Sequence, residues 1–160
     1  MVDPVSDHMV LALVSSALYT LVMSSPVPDP AGVFVYGTLR PGGSNATLWQ
    51  GCGRVRHRHA IGVNLAVGEP WHGRFPYAWR EAGSRVHGEF LDLADDQDWL
   101  LDRLDQLEGY RPGYREASHY LRDVIEVLVA GSPLRAWTYL AGPSVDLEGL
   151  DPVVGGDWTG

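Results

Sequence analysis

The sequence predicts one mixed α+β domain, and three observations carry that expectation. Residues 124–130 and 134–140 are β-favouring runs separated by Gly131, Ser132 and Pro133, the pattern of an antiparallel hairpin. Residues 95–108 instead place Leu100, Leu101, Leu104 and Leu107 at helical spacing. With 160 residues, 45% of them hydrophobic and 20% charged, the chain is long and apolar enough for one real core.

Charge and cysteine usage narrow the function classes. The formal net charge is −8, and no basic run exceeds the scattered Arg54, Arg56 and Arg58, so nucleic acid is not an expected partner. The single cysteine, Cys52, excludes an internal disulfide and any multi-cysteine metal site; a small buried apolar side chain in a reducing cytoplasm is its simplest role. Residues 1–30 read as an N-terminal extension to a domain spanning 31–160. The apolar run at 9–23 is short for a membrane span, and Asp3 and Asp7 stand where a secretory signal wants positive charge. It reads as an accessory segment or as the product of an early start, with Met23 the working initiator. No membrane association is expected.

Taken in order, Val33, Phe34 and Val35 lead through Tyr36 into the glycine- and proline-containing segment 37–45 and then into a short helix at 46–50. Gly37, Gly42 and Gly43 allow φ > 0 or close backbone approach, and Ser44 or Asn45 can cap a helix, so this loop is a natural seat for a carboxylate or oxyanion. An ordinary strand-to-helix connection fits the same residues. Residues 54–67 alternate loosely as a half-exposed strand, with His57 and His59 on one face. No Cys, Asp or Glu stands nearby at ligand spacing, so no metal is expected. Residues 68–82, with Trp71, Phe75, Pro76, Tyr77 and Trp79, read as an ordered loop and a short strand able to wall a pocket.

In the strand expected at 86–93, Glu89 shares parity with Leu91 and Leu93. It is therefore either an inward pocket carboxylate or a wet residue at a sheet edge. The helix that follows, opened by Asp95, Asp96 and Gln97 and closed by Gly109, places Glu108 between Leu101 and Leu104 on its apolar stripe. Burial and the negative helix end both disfavour the charged carboxylate, which raises its pKa toward the range useful for proton transfer. A frayed last turn would instead release Glu108 to water. Residues 110–113 hold a Pro-Gly turn, 114–121 alternate as a strand, and Trp158 near the C-terminus packs back onto the domain.

Three stretches together resemble the gamma-glutamylcyclotransferase-like family, in its order and spacing over residues 33–158. They are Tyr-Gly-Thr-Leu-Arg at 36–40 with Gly43 and Asn45, Leu-Asp-Gln-Leu-Glu-Gly-Tyr at 104–110, and Gly-Asp-Trp at 156–158. The resemblance implies an α+β fold built on a small, antiparallel, barrel-like mixed sheet with a few flanking helices. It implies that Glu108 is the catalytic glutamate and that Tyr36, Gly37, Thr38 and Leu39 form the loop holding a γ-glutamyl group. Glu89 and Tyr114 stand as further candidate substrate contacts, although many members carry an arginine two residues beyond this tyrosine, where this chain has Glu116. The implied reaction needs no cofactor: the α-amine of a γ-glutamyl amide attacks the side-chain carbonyl, closes 5-oxoproline and expels an amine. The expected protein is a cytoplasmic monomer or homodimer with a small-molecule substrate. A non-catalytic binding module and a protein-interaction domain on the same fold are the alternatives.

Overall fold

The computed structural model of the chain describes residues 27, 29–68, 74–92 and 97–159. Within them lie six strands and one α-helix: β1 (Val33–Val35), β2 (Arg54–Gly68), β3 (Phe75–Asp92), α1 (Gln97–Glu108), β4 (Tyr120–Val129), β5 (Ser132–Ala141) and β6 (Asp151–Pro152), joined in places by 3₁₀ turns. The strands pair in the order β3-β1-β5-β4-β2-β6, and β2 also pairs with β3, so five strands close into a ring with β6 appended to β2. Every pairing is antiparallel except that of β1 with β5, where Val33 lies opposite Trp137 in parallel register. The barrel-like mixed sheet implied by the sequence is the one observed.

The pleat of β1 divides the core in two. Phe34 and Tyr36 point into the ring with Ala60, Val127 and Ala136, while Val33 and Val35 point outward. There they meet Leu100, Leu101 and Leu104 of α1, together with Leu39 and Trp49 from the segment after β1. Cys52 is buried in this outer layer, as its composition suggested. Leu107, the last member of the helical stripe, is 40% exposed, because it lies past the edge of that layer. Gly109 ends the helix at φ 65°, and the Tyr110 N–H reaches the Asp105 carbonyl at 2.9 Å, a Schellman-type closure.

Three expectations need correction. Residues 75–92 form one strand, where the sequence suggested a loop with a short strand and then a second strand. The alternation is interrupted where β2 and β3 slip register between Ile61, opposite Arg85, and Val63, opposite Arg80. Gly62 and Gly83 take φ of 67° and 83° there, so the strand continues past a bulge that breaks its period. Residues 112–117 form a 3₁₀ segment, and β4 begins only at Tyr120. Pro112 and Gly113 open that segment away from the sheet, and an alternating pattern without a partner strand makes no strand. The β4–β5 turn also lies one residue earlier than expected, on Ala130 and Gly131 with φ of 51° and 81°; two positive φ values suit the twist of a two-residue hairpin. Trp158 packs against the ring core, as expected.

The apolar run at 9–23, Asp95 and Asp96, Trp71, Leu93, and the side chains of His57 and His59 lie outside the described residues. Among the described helices none is long and apolar enough to cross a membrane.

β1 sits tightly on β3 because Gly88 has no side chain. A Cβ there would meet the Val35 carbonyl oxygen at 2.3 Å and the Phe34 ring at 2.6 Å. Gly88→Ala is expected to lower stability by roughly 1–3 kcal/mol, the usual cost of overpacking. In urea titrations this appears as a lower midpoint at an unchanged m value; an unmoved midpoint contradicts the close approach.

Candidate active site

A cavity of about 330 Å³ opens at one mouth of the ring, a size suited to a small ligand. Its walls come from Tyr36 at the end of β1, Thr38 and Leu39 just beyond, Phe75, Pro76 and Tyr77 at the start of β3, Tyr120 at the start of β4, Tyr139 near the end of β5, and Glu108. Segments distant in sequence thus converge on one carboxyl group.

The position of Glu108 is set by the turn of α1 that precedes it. Asp105, three residues earlier, accepts a hydrogen bond from the Tyr139 hydroxyl at 2.5 Å and from Arg122 Nη1 at 3.0 Å. The Arg122 guanidinium in turn lies over the Trp137 ring at 5.3 Å and the Tyr110 ring at 5.7 Å. With Leu101 and Leu104 buried on the same helix, α1 has little freedom to rotate, and its last residue faces the cavity. The frayed end in which Glu108 swings into water is not what forms. No hydrogen bond or ion pair ties its carboxyl to another described residue, and burial pushes its pKa up from 4.5 to about 7.

Four tyrosines surround that carboxyl. The Tyr36 hydroxyl donates to the Tyr139 carbonyl at 2.7 Å and accepts from the Ala78 N–H at 3.3 Å. Tyr120 donates to the Pro76 carbonyl at 3.0 Å, and its ring stacks on Tyr77 at 4.8 Å between centroids. Burial first, then neighbouring negative charge including that of Glu108, pushes the phenols of Tyr36, Tyr77, Tyr120 and Tyr139 above the ordinary tyrosine value. Near neutral pH they are therefore neutral hydroxyls that do not act as bases, and those of Tyr36, Tyr120 and Tyr139 spend their single proton on the Tyr139 carbonyl, the Pro76 carbonyl and Asp105.

The loop after β1 is a 3₁₀ turn, Gly37–Leu39, stitched from several sides. Asn45 donates its backbone N–H to the Thr38 carbonyl at 3.0 Å and its side-chain amide to the Thr38 hydroxyl at 3.1 Å, while the Trp49 indole donates to the Leu39 carbonyl at 2.6 Å. The leading N–H groups of such a turn, on Gly37 and Thr38, have no acceptor within it. Gly37 has φ of 61°, and a Cβ on it would meet Pro76 Cγ at 2.1 Å. Only glycine fits there on both grounds.

The structure brings Tyr36, Thr38, Leu39 and Glu108 into one cavity, with Gly37 in the turn between them. It places two other candidates elsewhere. Glu89 is buried, but the pleat sends it to the outer side of β3 with Leu91; it pairs with Arg40 at 3.2 Å and borders a second cavity beside Gly37 and Trp158. Tyr114 is 69% exposed on the 3₁₀ segment and lines no part of the Glu108 cavity. Tyr120 and Tyr139 went unrecognised as site residues, since the only sequence signal was a polar aromatic near the end of an apolar strand. Among the described residues, no group of three His, Cys, Asp or Glu side chains is placed to hold a metal ion.

A family model described as gamma-glutamyl cyclotransferase, AIG2-like, matches residues 33–160. An AIG2-like protein from Mus musculus has a similar structure, at 20% identity and a TM-score of 0.61, covering 81% of this chain and 88% of that one. YkqA from Bacillus subtilis is similar at 19% identity and a TM-score of 0.56, over 81% of this chain and 39% of its own length. An uncharacterized protein from Pyrococcus horikoshii follows at 18% identity and a TM-score of 0.52, covering 78% of this chain and 86% of its own. At these identities the likeness is one of fold. No curated protein matches the chain.

The raised pKa of Glu108 has a consequence for stability. Between about pH 4.5 and 7 the folded state holds a proton on Glu108 that the unfolded chain releases, so folding loses this contribution as pH rises through that window. Glu108→Gln removes the titration. Denaturation midpoints measured across the window should therefore fall less steeply with pH in the variant than in the parent; parallel curves would mean that the carboxyl is not desolvated.

Proposed function

The chain belongs to the gamma-glutamyl cyclotransferase, AIG2-like family, and on that premise we propose that it converts a γ-glutamyl amide to 5-oxoproline and a free amine, with Glu108 as the proton shuttle and residues 31–160 as the catalytic unit. The observation that carries this reading is a carboxyl with a pKa near 7, without a hydrogen-bond or ion-pair partner among the described residues, inside a cavity bordered by the Gly37–Leu39 turn.

The chemistry asks for few groups. The α-amine of the substrate must lie against its own side-chain carbonyl, an arrangement worth several kcal/mol once the cavity enforces it. Glu108 as carboxylate takes a proton from the α-ammonium, and the freed nitrogen forms a bond to the carbonyl carbon. The carbonyl oxygen becomes an oxyanion that the N–H groups of Gly37 and Thr38 can stabilise. The amide C–N bond then breaks as Glu108 gives its proton to the departing nitrogen, and the ring nitrogen passes its second proton through the same carboxylate to the amine, so 5-oxoproline leaves as the neutral lactam and the amine as its ammonium. Every proton taken is given back, so one carboxyl near its pKa serves as both base and acid.

Glu108→Gln keeps shape and hydrogen-bonding capacity but cannot exchange the proton. The expected loss in kcat is about 10²- to 10⁴-fold, or about 3–5 kcal/mol of transition-state stabilisation, with substrate binding retained. Screening γ-glutamyl amides for 5-oxoproline by mass spectrometry supplies the substrate. In the parent, kcat/KM should fall below about pH 7 as Glu108 takes up its proton. Turnover by the variant within about threefold of the parent would remove Glu108 from this role.

A further inference from the structure

Of the three stretches that mark the family, Gly156-Asp157-Trp158 has no part in the chemistry above, and Arg40 and Glu89 lie outside the Glu108 cavity. These residues meet one another. Arg40 directly follows the Gly37–Leu39 turn, and its backbone holds both sides of the loop: its N–H donates to the Gly37 carbonyl at 3.1 Å, and its carbonyl accepts from the Gly43 N–H at 2.8 Å. Its side chain crosses to Glu89 on β3 through Nε at 3.2 Å, and through Nη1 to the Asp157 carboxylate and to the Trp158 carbonyl at 3.2 Å. The Arg40 side chain is 17% exposed and the Glu89 side chain 7%, so this pair is shielded from solvent far better than an ordinary surface ion pair.

The C-terminal segment supplying Asp157 is itself held in place. Gly156 has φ of 68°, and a Cβ on it would meet the Arg85 carbonyl oxygen at 2.1 Å, so the backbone lies directly against β3. Two residues further on, Trp158 packs on the ring core. Arg40 therefore joins two fixed points, β3 and the C-terminal segment, to a turn whose internal hydrogen bonds are short 3₁₀ ones and whose other ties, from Asn45 and Trp49, come only from the segment that follows it.

We propose that Arg40, Glu89 and Asp157 form an ionic latch that positions the Gly37–Leu39 turn for substrate, making all three positioning residues and giving the C-terminal Gly-Asp-Trp stretch its role. The consequence for turnover rests on the functional reading above; the consequence for loop order does not. A guanidinium is suited to this task because its planar fork donates in two directions at fixed angles, which an ammonium does not.

The test uses the full chain carrying Asp157→Asn, an exchange at a side chain that is 48% exposed and so tolerated by the fold. Backbone amide hydrogen exchange over residues 36–45 should quicken about tenfold, the equivalent of about 1.4 kcal/mol, while exchange in β4 and β5 stays at the parent rate. With a substrate that the parent turns over, KM should rise about three- to tenfold and kcat stay within about twofold, because a looser turn weakens binding without altering Glu108. Asp157→Glu should recover most of the loss, and Arg40→Lys, which keeps the charge but not the fork, should quicken the same amides. Unchanged exchange at 36–45 in both Asp157→Asn and Arg40→Lys overturns the latch, as does a uniform quickening that includes β4 and β5. A parent that forms no 5-oxoproline from any γ-glutamyl amide sinks the functional reading alone, and the exchange measurements still decide the latch.

Discussion

The pleat of β1 is the constraint on which the rest of the structure depends. Three residues, each almost fully buried, must satisfy two cores at once: Phe34 fills the ring and Val33 and Val35 support α1. The strand is hydrogen-bonded on both sides, antiparallel to β3 and parallel to β5, so a slip by one residue would turn both cores inside out. Because β1 cannot move, Tyr36 and the turn after it emerge at a fixed point on the mouth of the ring. Because α1 packs on the outer face of the same strand, its C-terminal residue arrives at that mouth from the other side.

This arrangement explains how a carboxyl group can remain without a partner among the described residues in a largely apolar cavity. Burying a charge is costly, and Glu108 meets the cost by holding its proton up to about pH 7 instead of by pairing. The strong polar interactions lie one layer away, where Asp105 is held by Tyr139 and Arg122. Had Arg122 reached Glu108 instead, the carboxyl would be ionised throughout the neutral range and poor at returning a proton. The separation of the anchoring acid from the titrating acid, three residues apart on one helix, gives each its own environment. Arg40 repeats the pattern on the opposite side of the turn, where the pleat of β3 keeps Glu89 out of the cavity and Asp157 comes from the C-terminal segment.

The long β2–β3 hairpin and the closed ring also account for where the sequence misleads. A bulged strand loses its period at the bulge, so 75–92 looks like two pieces when read alone; its continuity comes from β2, which pairs on both sides of the slip. Residues 114–121 look like a strand because their polar and apolar residues alternate, yet most of them have no neighbouring strand to bond with. Alternation measures suitability for a half-buried surface, and only a partner makes it a strand.

What the sequence determined by itself was local. Periodicity and a terminating glycine defined α1 and set Glu108 on its buried stripe, the apolar run before Gly37 defined β1 and its loop, and the turn near Gly131 defined the last hairpin. The family motifs tied those pieces to one fold and one candidate chemistry. Only the tertiary structure decided which side chains share a cavity. It brought in Tyr120 and Tyr139, left Tyr114 in water, and sent the buried Glu89 to Arg40 in place of the Glu108 cavity. The physical reason is that parity and burial say only that a side chain points inward. A structure with two cores on either side of one short strand has two insides, and which one a residue enters is set by ring closure between segments far apart in the chain.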